Sequence, residues 1–266
     1  MPSRLLFAIL VTVACAKSQQ NSAATIDLTR YRLVDLTHSF NAQTIYWPTS
    51  TKTFEHPLQT YGKTPGGWFY SSYELSTPEH GGTHLDAPIH FGEGKETADQ
   101  IPLTRLLSRA VVIDVSAKAD SNRDYLLTPD DITEFERQHG QIAEGTIVLL
   151  RTGWSRRWPD KLAYLGDNTP GDASKLHFPS FGPDAARLLV EQRRVAALGV
   201  DVASIDAGNS TDFMVHRIAA ESSVPGFENL TSLDQLPPTG SIVIALPMKI
   251  EGGSGGPLRA VAMIPR

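Results

Sequence analysis

The sequence has little cysteine: Cys15 is the only one among 266 residues. A single cysteine cannot form a disulfide within its own chain, so core packing has to stabilise the fold. If the N-terminal segment that contains Cys15 is removed, the mature protein has no cysteine at all. A cysteine nucleophile and a cysteine-ligated metal are then excluded.

Long runs of one charge and long apolar runs are also missing. The net charge is −5, and no extended lysine or arginine run occurs, which argues against nucleic acid as a partner. No apolar run approaches the roughly 20 residues of a membrane-spanning helix, so no stable membrane span is expected. Hydrophobic residues make up 41% and charged residues 20% of the chain, as in an ordinary globular protein. A small molecule is therefore the expected partner.

Residues 1–16 have the pattern of a secretory signal peptide. One arginine precedes an apolar run over residues 5–13, and Ala14-Cys15-Ala16 fits a small-residue cleavage site. An uncleaved anchor, a disordered N-terminus and a lipidated Cys15 are the alternatives, although Thr12 stands where a lipidation motif prefers an aliphatic residue. The signal-peptide interpretation predicts a secreted or extracytoplasmic protein.

Strand and helix patterns interleave along the rest of the chain, after a polar lead-in over residues 17–30. Thr128 followed by Pro129 is typical of a helix start, and Gly140 closes that helix. A second helix is predicted over residues 182–193. Strands are predicted over residues 31–40, 68–77, 110–116, 145–154, 241–250 and 259–265, with a flexible EGGSGG between the last two, and a strand with a loop is predicted over residues 196–206. Interleaved elements around buried apolar strands indicate one α/β domain with a mixed sheet over residues 31–266.

A dense polar cluster occupies residues 80–90, which contain three histidines and one aspartate. In extended chain His84 and Asp86 project to the same side, about 6.6 Å apart at roughly 3.3 Å per residue, so both reach one ion. His80 is too distant unless the chain bends, and the Gly81-Gly82 pair permits such a bend. The spacing predicts a metal site.

Three further residues, His90, His216 and Glu228, are candidates for a functional site. His90 follows Pro88 and need not bind the ion, and a neutral imidazole there can move protons near pH 7. His216 lies on a predicted short helix, and Glu228 lies in a predicted turn after Pro225 and Gly226. On their own, His216 and Glu228 would be ordinary surface residues.

The run HGGTHLDAPIH (residues 80–90) resembles the H-x-G-T-H-x-D-x-P-x-H motif of the cyclase-like metal-dependent hydrolases. This family includes bacterial kynurenine formamidase and isatin hydrolase. The resemblance extends to DLTHSF, RTGW, GVD…SID and LPMKIEGGSGGPLRAVA, and so covers most of the mature chain. It implies a compact mixed-sheet α/β domain of the swivelling β/β/α type that forms a homodimer.

The resemblance also implies the metal ligands. His80, His84 and Asp86 match the ligands of one ion, and Asp86, His216 and Glu228 match those of a second ion in the formamidase branch. The SID stretch and the glycine-rich tail are more similar to the isatin hydrolase branch, which is associated with a single manganese. One or two divalent ions, Mn²⁺ or Zn²⁺, are therefore expected.

The implied reaction is hydrolysis of an aryl amide C–N bond, either in a molecule like N-formylkynurenine or in a cyclic amide like isatin. A metal-bound hydroxide attacks, and His90 transfers the proton. Thr83 is expected to orient a ligand through a hydrogen bond. An aromatic amide needs a flat apolar wall, for which Trp47, Phe69 and Phe213 are candidates.

Two other functions remain open. His84-x-Asp86 with His216 resembles the iron triad of non-haem oxygenases. Position 226, where those using 2-oxoglutarate usually carry a basic residue, is glycine, and Arg217 is too close to His216. The other function is a secreted, metal-stabilised binding protein with weak or no catalysis. The presence of all six implied site residues argues against it.

Overall fold

The structure is a computed structural model, and it describes residues 27–266. The predicted signal peptide over residues 1–16 and most of the polar lead-in lie outside the described residues. At the end of the lead-in, Leu28–Arg30 forms a 3₁₀ turn whose N-terminus is capped by the Asp27 side chain. The chain passes from this turn directly into the first strand.

Residues 27–266 form twelve β-strands and six α-helices. The longest helix has 11 residues, and none in this range is long and apolar enough to cross a bilayer. The strands are β1 (Tyr31–Asp35), β2 (Leu58–Lys63), β3 (Phe69–Tyr73), β4 (His84–Asp86), β5 (Leu107–Asp114), β6 (Leu126–Leu127), β7 (Ile147–Arg151), β8 (Ser180–Phe181), β9 (Ala197–Val200), β10 (Gly226–Glu228), β11 (Ser241–Pro247) and β12 (Gly255–Pro265). The helices are α1 (Leu103–Leu106), α2 (Ser116–Ser121), α3 (Pro129–His139), α4 (Lys161–Leu165), α5 (Pro183–Arg187) and α6 (Met214–Glu221).

Eight strands form one mixed sheet in the order β1-β12-β11-β5-β7-β9-β10-β4. Because β4 pairs with β12 as well as with β10, the strands from β12 round to β4 close into a barrel. The neighbours β5, β7, β9 and β10 run parallel, and the remaining pairs of this sheet are antiparallel. The predicted α/β fold with a mixed sheet is confirmed.

The barrel wall has apolar residues on both faces. Val148 and Leu150 of β7 pack in one core cluster, whereas Ile147 and Leu149 pack in the other. A strand covered on both sides needs apolar side chains at every position, which explains the continuous run seen in the sequence. Burial on both faces makes β7 and its neighbours a rigid support for the residues that follow them.

Helix α3 begins and ends where the sequence predicts. The Thr128 side chain accepts a hydrogen bond from the Asp131 backbone N–H at 3.2 Å, and the Asp131 carboxylate accepts one from the Thr128 N–H at 2.8 Å. This reciprocal capping box satisfies two backbone donors that the first helical turn leaves free. The second predicted helix, over residues 182–193, consists of α5 followed by a π-helical turn over Leu188–Gln192.

Two other segments differ from prediction. The predicted strand over residues 68–77 forms half of a hairpin, β2–β3, whose strands are exposed and pair only with each other. The glycine-rich EGGSGG is not a free connection, since β12 begins at Gly255 and pairs with β4 from that residue onward. Strands β4 and β12 are far apart in the sequence, so the local sequence pattern could not indicate that they pair.

Candidate metal centre

The register of β4 places the first polar groups. His84 and Asp86 point into a cavity while Leu85, between them, is fully buried in the core. In the antiparallel pairing with β10, Glu228 lies opposite His84, and Gly226 lies opposite Asp86. Side chains of directly opposed residues share a face of the sheet, so the Glu228 carboxylate comes beside the His84 ring.

His80 reaches this cluster through a sharp bend. Gly81 has a φ of +145° and Gly82 a φ of +58°, values that other residues rarely adopt. A Cβ at Gly82 would lie 2.5 Å from the Phe40 ring, so the position has no room for a side chain. The bend brings His80 Nδ1 to 2.6 Å from Asp86 Oδ1, as the sequence predicts.

His216 approaches from α6, on the other side of Asp86. Its Nε2 lies 2.9 Å from Asp86 Oδ2 and 3.2 Å from Glu228 Oε1. Asp86 therefore presents Oδ1 to His80 and His84, and Oδ2 to His216. Two groups of possible ligands result, and they share Asp86. The first group is His80, His84 and Asp86, and the second is Asp86, His216 and Glu228. Within each group the ligand atoms lie within 4.8 Å of one another.

The donor set fits a divalent cation. Two ligand atoms that are each about 2.1 Å from an ion at tetrahedral angles lie about 3.4 Å apart. His84 Nε2 lies 3.2 Å from Asp86 Oδ1 within the first ligand group, and His216 Nε2 lies 3.2 Å from Glu228 Oε1 within the second. Burial opposes protonation of His84, but the Asp86 and Glu228 carboxylates outweigh it and raise its pKa to about 9. The same excess of buried negative charge favours a cation that displaces this proton.

Hydrogen bonds fix which ring nitrogen faces the carboxylates in two of the histidines. The His84 Nδ1–H donates to the Gly82 carbonyl at 3.0 Å, and the His216 Nδ1–H donates to Asp206 Oδ2 at 2.7 Å. Both rings therefore keep the Nε2 lone pair for an ion. Asp206 was not predicted as a site residue. It ends the GVD…SID stretch, but only the fold places it beside His216.

His90 lies next to the ligand groups and belongs to neither of them. It ends a 3₁₀ turn over Pro88–His90, and its ring stacks on that of His80 with centroids 3.8 Å apart. Desolvation by the surrounding protein lowers the pKa of His90 to about 4, although the Asp86 charge opposes this shift and part of the residue stays exposed to solvent. The imidazole is therefore neutral at pH 7 and has a lone pair that can accept a proton.

The ligands open into a cavity of about 260 Å³ with aromatic walls. Trp47 and Phe213, both predicted to face an aromatic substrate, lie there with ring centroids 6.2 Å apart. Phe91 joins them, 5.2 Å from Phe213. No lysine or arginine is among the described residues that line this cavity: Ile45, Tyr46, Trp47, His80, Gly81, His84, Asp86, His90, Phe91, Ala203, Ser204, Phe213, His216, Glu228 and Asn229.

Two predicted roles are wrong for the single chain. Phe69 does not line the cavity but lies on the β2–β3 hairpin with 58% of its surface exposed. Thr83 does not contact a ligand side chain. Its hydroxyl donates to the Asn229 carbonyl at 2.6 Å and accepts from the His38 N–H at 2.9 Å. The alternation that directs His84 into the cavity directs its neighbour Thr83 away from it.

Asn229 is a second residue whose contribution was not predicted. It is buried, and its side-chain Nδ2 donates to the Gly82 carbonyl at 2.7 Å. Its Oδ1 accepts a hydrogen bond from the Tyr164 hydroxyl at 2.9 Å. Asn229 thus ties the His80–His84 bend to the end of β10, next to Glu228.

Known proteins are similar to this chain over most of its length. The profile of a protein family described as "Putative cyclase" matches residues 34–207. An isatin hydrolase of Roseibium aggregatum is 35% identical over 219 residues, which cover 79% of this chain and 81% of that protein. A kynurenine formamidase of Salinibacter ruber is 29% identical over 231 residues, covering 86% of this chain and 96% of that protein.

The fold also matches solved structures. An isatin hydrolase crystallised with the product analogue thioisatinate superposes with a TM-score of 0.81 at 31% identity, over 90% of this chain and 94% of that one. These relatives are hydrolases, and none of the three supports the oxygenase or the binding-protein interpretation. The predicted enzyme class, a metal-dependent hydrolase, is confirmed, and the chain belongs to the cyclase family.

Proposed function

We propose that the protein hydrolyses the C–N bond of a neutral, cyclic aryl amide of the isatin type. One feature of the site supports this proposal most strongly, namely that polar metal ligands lie next to an aromatic cavity. Buried carboxylates and histidines that suit a divalent ion open directly into an aromatic cavity whose described lining has no lysine or arginine. Among the relatives, an isatin hydrolase is 35% identical to this chain.

The absence of cationic side chains from that lining separates the two candidate substrates. N-formylkynurenine has an amino-acid carboxylate, and a charged group enters an apolar cavity at high cost unless it is paired. Isatin is a flat, uncharged bicyclic amide that requires apolar walls and a polarising group at one carbonyl. Trp47 and Phe213 supply such walls.

Held by His80, His84 and Asp86, or by Asp86, His216 and Glu228, a divalent ion would supply a more acidic water and a polarised amide carbonyl. His90 lies beside the donors and is free of them, so it accepts the proton that the attacking water loses. Hydroxide adds to the carbonyl carbon, the C–N bond breaks, and His90 returns the proton to the leaving nitrogen. The ring opens to an aniline with a carboxylate-bearing side chain.

Mn²⁺ and Zn²⁺ are the ions we propose, one or two per chain. The donors are imidazole nitrogens and carboxylate oxygens, a mixture that suits both metals. Asp86 directs one carboxylate oxygen to His80 and the other to His216, so its side chain would serve either ligand group. Metal content measured on the purified protein distinguishes one ion from two.

The substrate proposal is tested with two compounds. We expect kcat/KM for isatin to exceed that for N-formylkynurenine by at least about 100-fold, because the unpaired carboxylate of the latter resists burial. Steady-state rates with metal-loaded protein measure the ratio. A preference for N-formylkynurenine would show that the cavity binds amino acids and would overturn the assignment.

Trp47 should contribute to substrate binding through its flat indole. Replacing Trp47 with alanine should lower kcat/KM for isatin about 10-fold, mainly through KM, because an aromatic contact and buried area are lost. Trp47→Phe is the matched control, since it retains an aromatic face and should remain within about threefold of wild type. An unchanged KM in Trp47→Ala, with metal content intact, would remove this residue from the site.

We also propose that the protein is a homodimer. The β2–β3 hairpin exposes several aromatic side chains, among them Tyr61, Trp68 and Phe69, and its strands pair with no other strand of the described chain. A second copy packing on this hairpin would cover the aromatic surface. Sedimentation of the wild type and of Phe69→Ser tests this proposal: the expected result is a dimer that the substitution weakens, and a monomeric wild type would contradict it.

We also propose that the protein is secreted, because residues 1–16 have the pattern of a secretory signal peptide. Fractionation of expressing cells, with N-terminal sequencing of the mature chain, tests it. Processing after Ala16 is the expected result.

A further inference from the structure

The glycine-rich segment before β12 packs directly on His80. The Ala98 N–H donates to the Gly253 carbonyl at 2.8 Å, and the Ala87 N–H donates to the Ser254 carbonyl at 2.9 Å. These two bonds fasten the segment to the chain on either side of His90. The segment is therefore positioned by the same stretch of sequence that carries the metal ligands.

Gly255 allows the closest approach. A Cβ at this position would lie 2.6 Å from His80 Cε1 and 2.4 Å from the Leu85 carbonyl oxygen. Neither neighbour can yield, because Leu85 belongs to β4 and His80 is in contact with Asp86. The backbone at Gly255 thus forms one wall of the His80 ring site.

The Ser254 hydroxyl lies between His80 and a carboxylate. Ser254 Oγ is 2.6 Å from Glu79 Oε2 and 2.8 Å from His80 Nε2, and the Ser254 N–H donates to the same Glu79 oxygen at 3.0 Å. An ionised carboxylate only accepts, so the single hydroxyl proton of Ser254 goes to Glu79. The Ser254 oxygen then accepts from His80, so His80 Nε2 carries a proton.

These hydrogen bonds keep a proton on His80 Nε2, which leaves Nδ1 as the ring atom that can bind an ion. Nδ1 lies 2.6 Å from the Asp86 carboxylate, which also only accepts, so an ion bound by the first ligand group would take the Nδ1 lone pair in place of the proton between these two atoms. His80 would therefore bind through Nδ1, whereas His84 and His216 would bind through Nε2. It is also the most exposed of the three ligand histidines, with 26% of its side chain accessible.

We infer that Ser254 and Glu79 are positioning residues for the metal centre: together they fix the His80 ring in the tautomer that binds a divalent ion through Nδ1. The inference rests on the proposed metal centre but not on the identity of the substrate. Carboxylate or hydroxyl partners of this kind orient a ligand histidine, and losing one typically weakens metal binding 10- to 100-fold. The function of the glycine-rich segment before β12 is then to position the His80 ring.

The test is metal affinity, measured without substrate. Mn²⁺ is titrated calorimetrically into metal-free wild type, Ser254→Ala, Ser254→Thr and Glu79→Gln. We expect Ser254→Ala to bind Mn²⁺ about 10- to 100-fold more weakly, and Ser254→Thr, which keeps the hydroxyl, to remain within about threefold of wild type. Glu79→Gln should also weaken binding, because a glutamine can donate to the hydroxyl and release the tautomer.

Glu251→Gln is the matched control for Glu79→Gln, since Glu251 is exposed and makes no side-chain hydrogen bond among the described residues. It should bind Mn²⁺ as wild type does. The thermal midpoint of each metal-free variant shows whether the fold is altered, and the electron paramagnetic resonance spectrum of bound Mn²⁺ reports its ligand field. Wild-type affinity and spectrum in both Ser254→Ala and Glu79→Gln would overturn the inference, whatever substrate the enzyme prefers.

Discussion

Replacing Asp86 with alanine should abolish metal binding and, with it, hydrolysis. Asp86 is the one carboxylate that both ligand groups share, with Oδ1 next to His80 and His84 and Oδ2 next to His216. Its loss leaves each group with two protein ligands, too few to retain an ion firmly. The ion supplies several kcal/mol of transition-state stabilisation, so kcat/KM should fall at least about 10³-fold.

Metal content by elemental analysis and the rate of isatin hydrolysis measure the two losses. Asp131→Ala is the control for removing a buried aspartate elsewhere. Asp131 completes the capping box of α3 with Thr128 and also accepts hydrogen bonds from Lys118 and Tyr125, so that variant should lose about 1–3 kcal/mol of stability while keeping its metal and activity. Metal content equal to wild type in Asp86→Ala would contradict the ligand assignment.

The second large effect is expected at His90, where chemistry and metal binding should separate. His90→Ala should keep its metal, because His90 belongs to neither ligand group. Its kcat should fall by about 10²- to 10⁴-fold, the usual contribution of a positioned general acid–base. KM should change little, since the aromatic walls remain.

Added imidazole should restore part of the kcat of His90→Ala, which a structural defect would not allow. His139→Ala, at the exposed end of α3, controls for histidine removal and should behave as wild type. A His90→Ala protein with full activity would eliminate the proton-transfer role, and one without metal would make His90 a ligand.

Local patterns predicted the parts of the site that depend on a few neighbouring residues. Strand alternation placed His84 and Asp86 on one face, and the glycine pair before them predicted the bend to His80. Both predictions rest on backbone geometry within seven residues. The cap of α3 at Thr128 was predictable for the same reason.

Contacts between distant segments could not be predicted from such patterns. Glu228 was expected in a turn, yet it ends β10, where pairing with β4 sets it opposite His84. Ser254 lies 174 residues from His80, and only the closure of the barrel by β12 brings the two together. Asp206 lies beside His216 because its carboxylate accepts hydrogen bonds from the Val215 and His216 backbone N–H groups in the first turn of α6.

Phe69 and Thr83 show how a correct local pattern leads to a wrong role. The aromatic run around Phe69 does form a strand, but this strand belongs to an exposed hairpin and not to the barrel. Thr83 does lie between two ligands in sequence, and for that reason alternation turns it toward Asn229. In both cases the role depends on which distant residues the side chain contacts in the fold. Those residues lie outside the short stretch of sequence from which the role was predicted.

Removing and returning the metal shows whether the carboxylate–histidine centre hydrolyses a neutral aryl amide with a divalent ion. The rate of isatin hydrolysis is measured on chelated protein, then after adding Mn²⁺ or Zn²⁺, with metal content determined on each sample. We expect no turnover above background in chelated protein and a rate that rises in proportion to the metal bound. Equal rates in chelated and reloaded protein, or no hydrolysis by fully loaded protein, would contradict it.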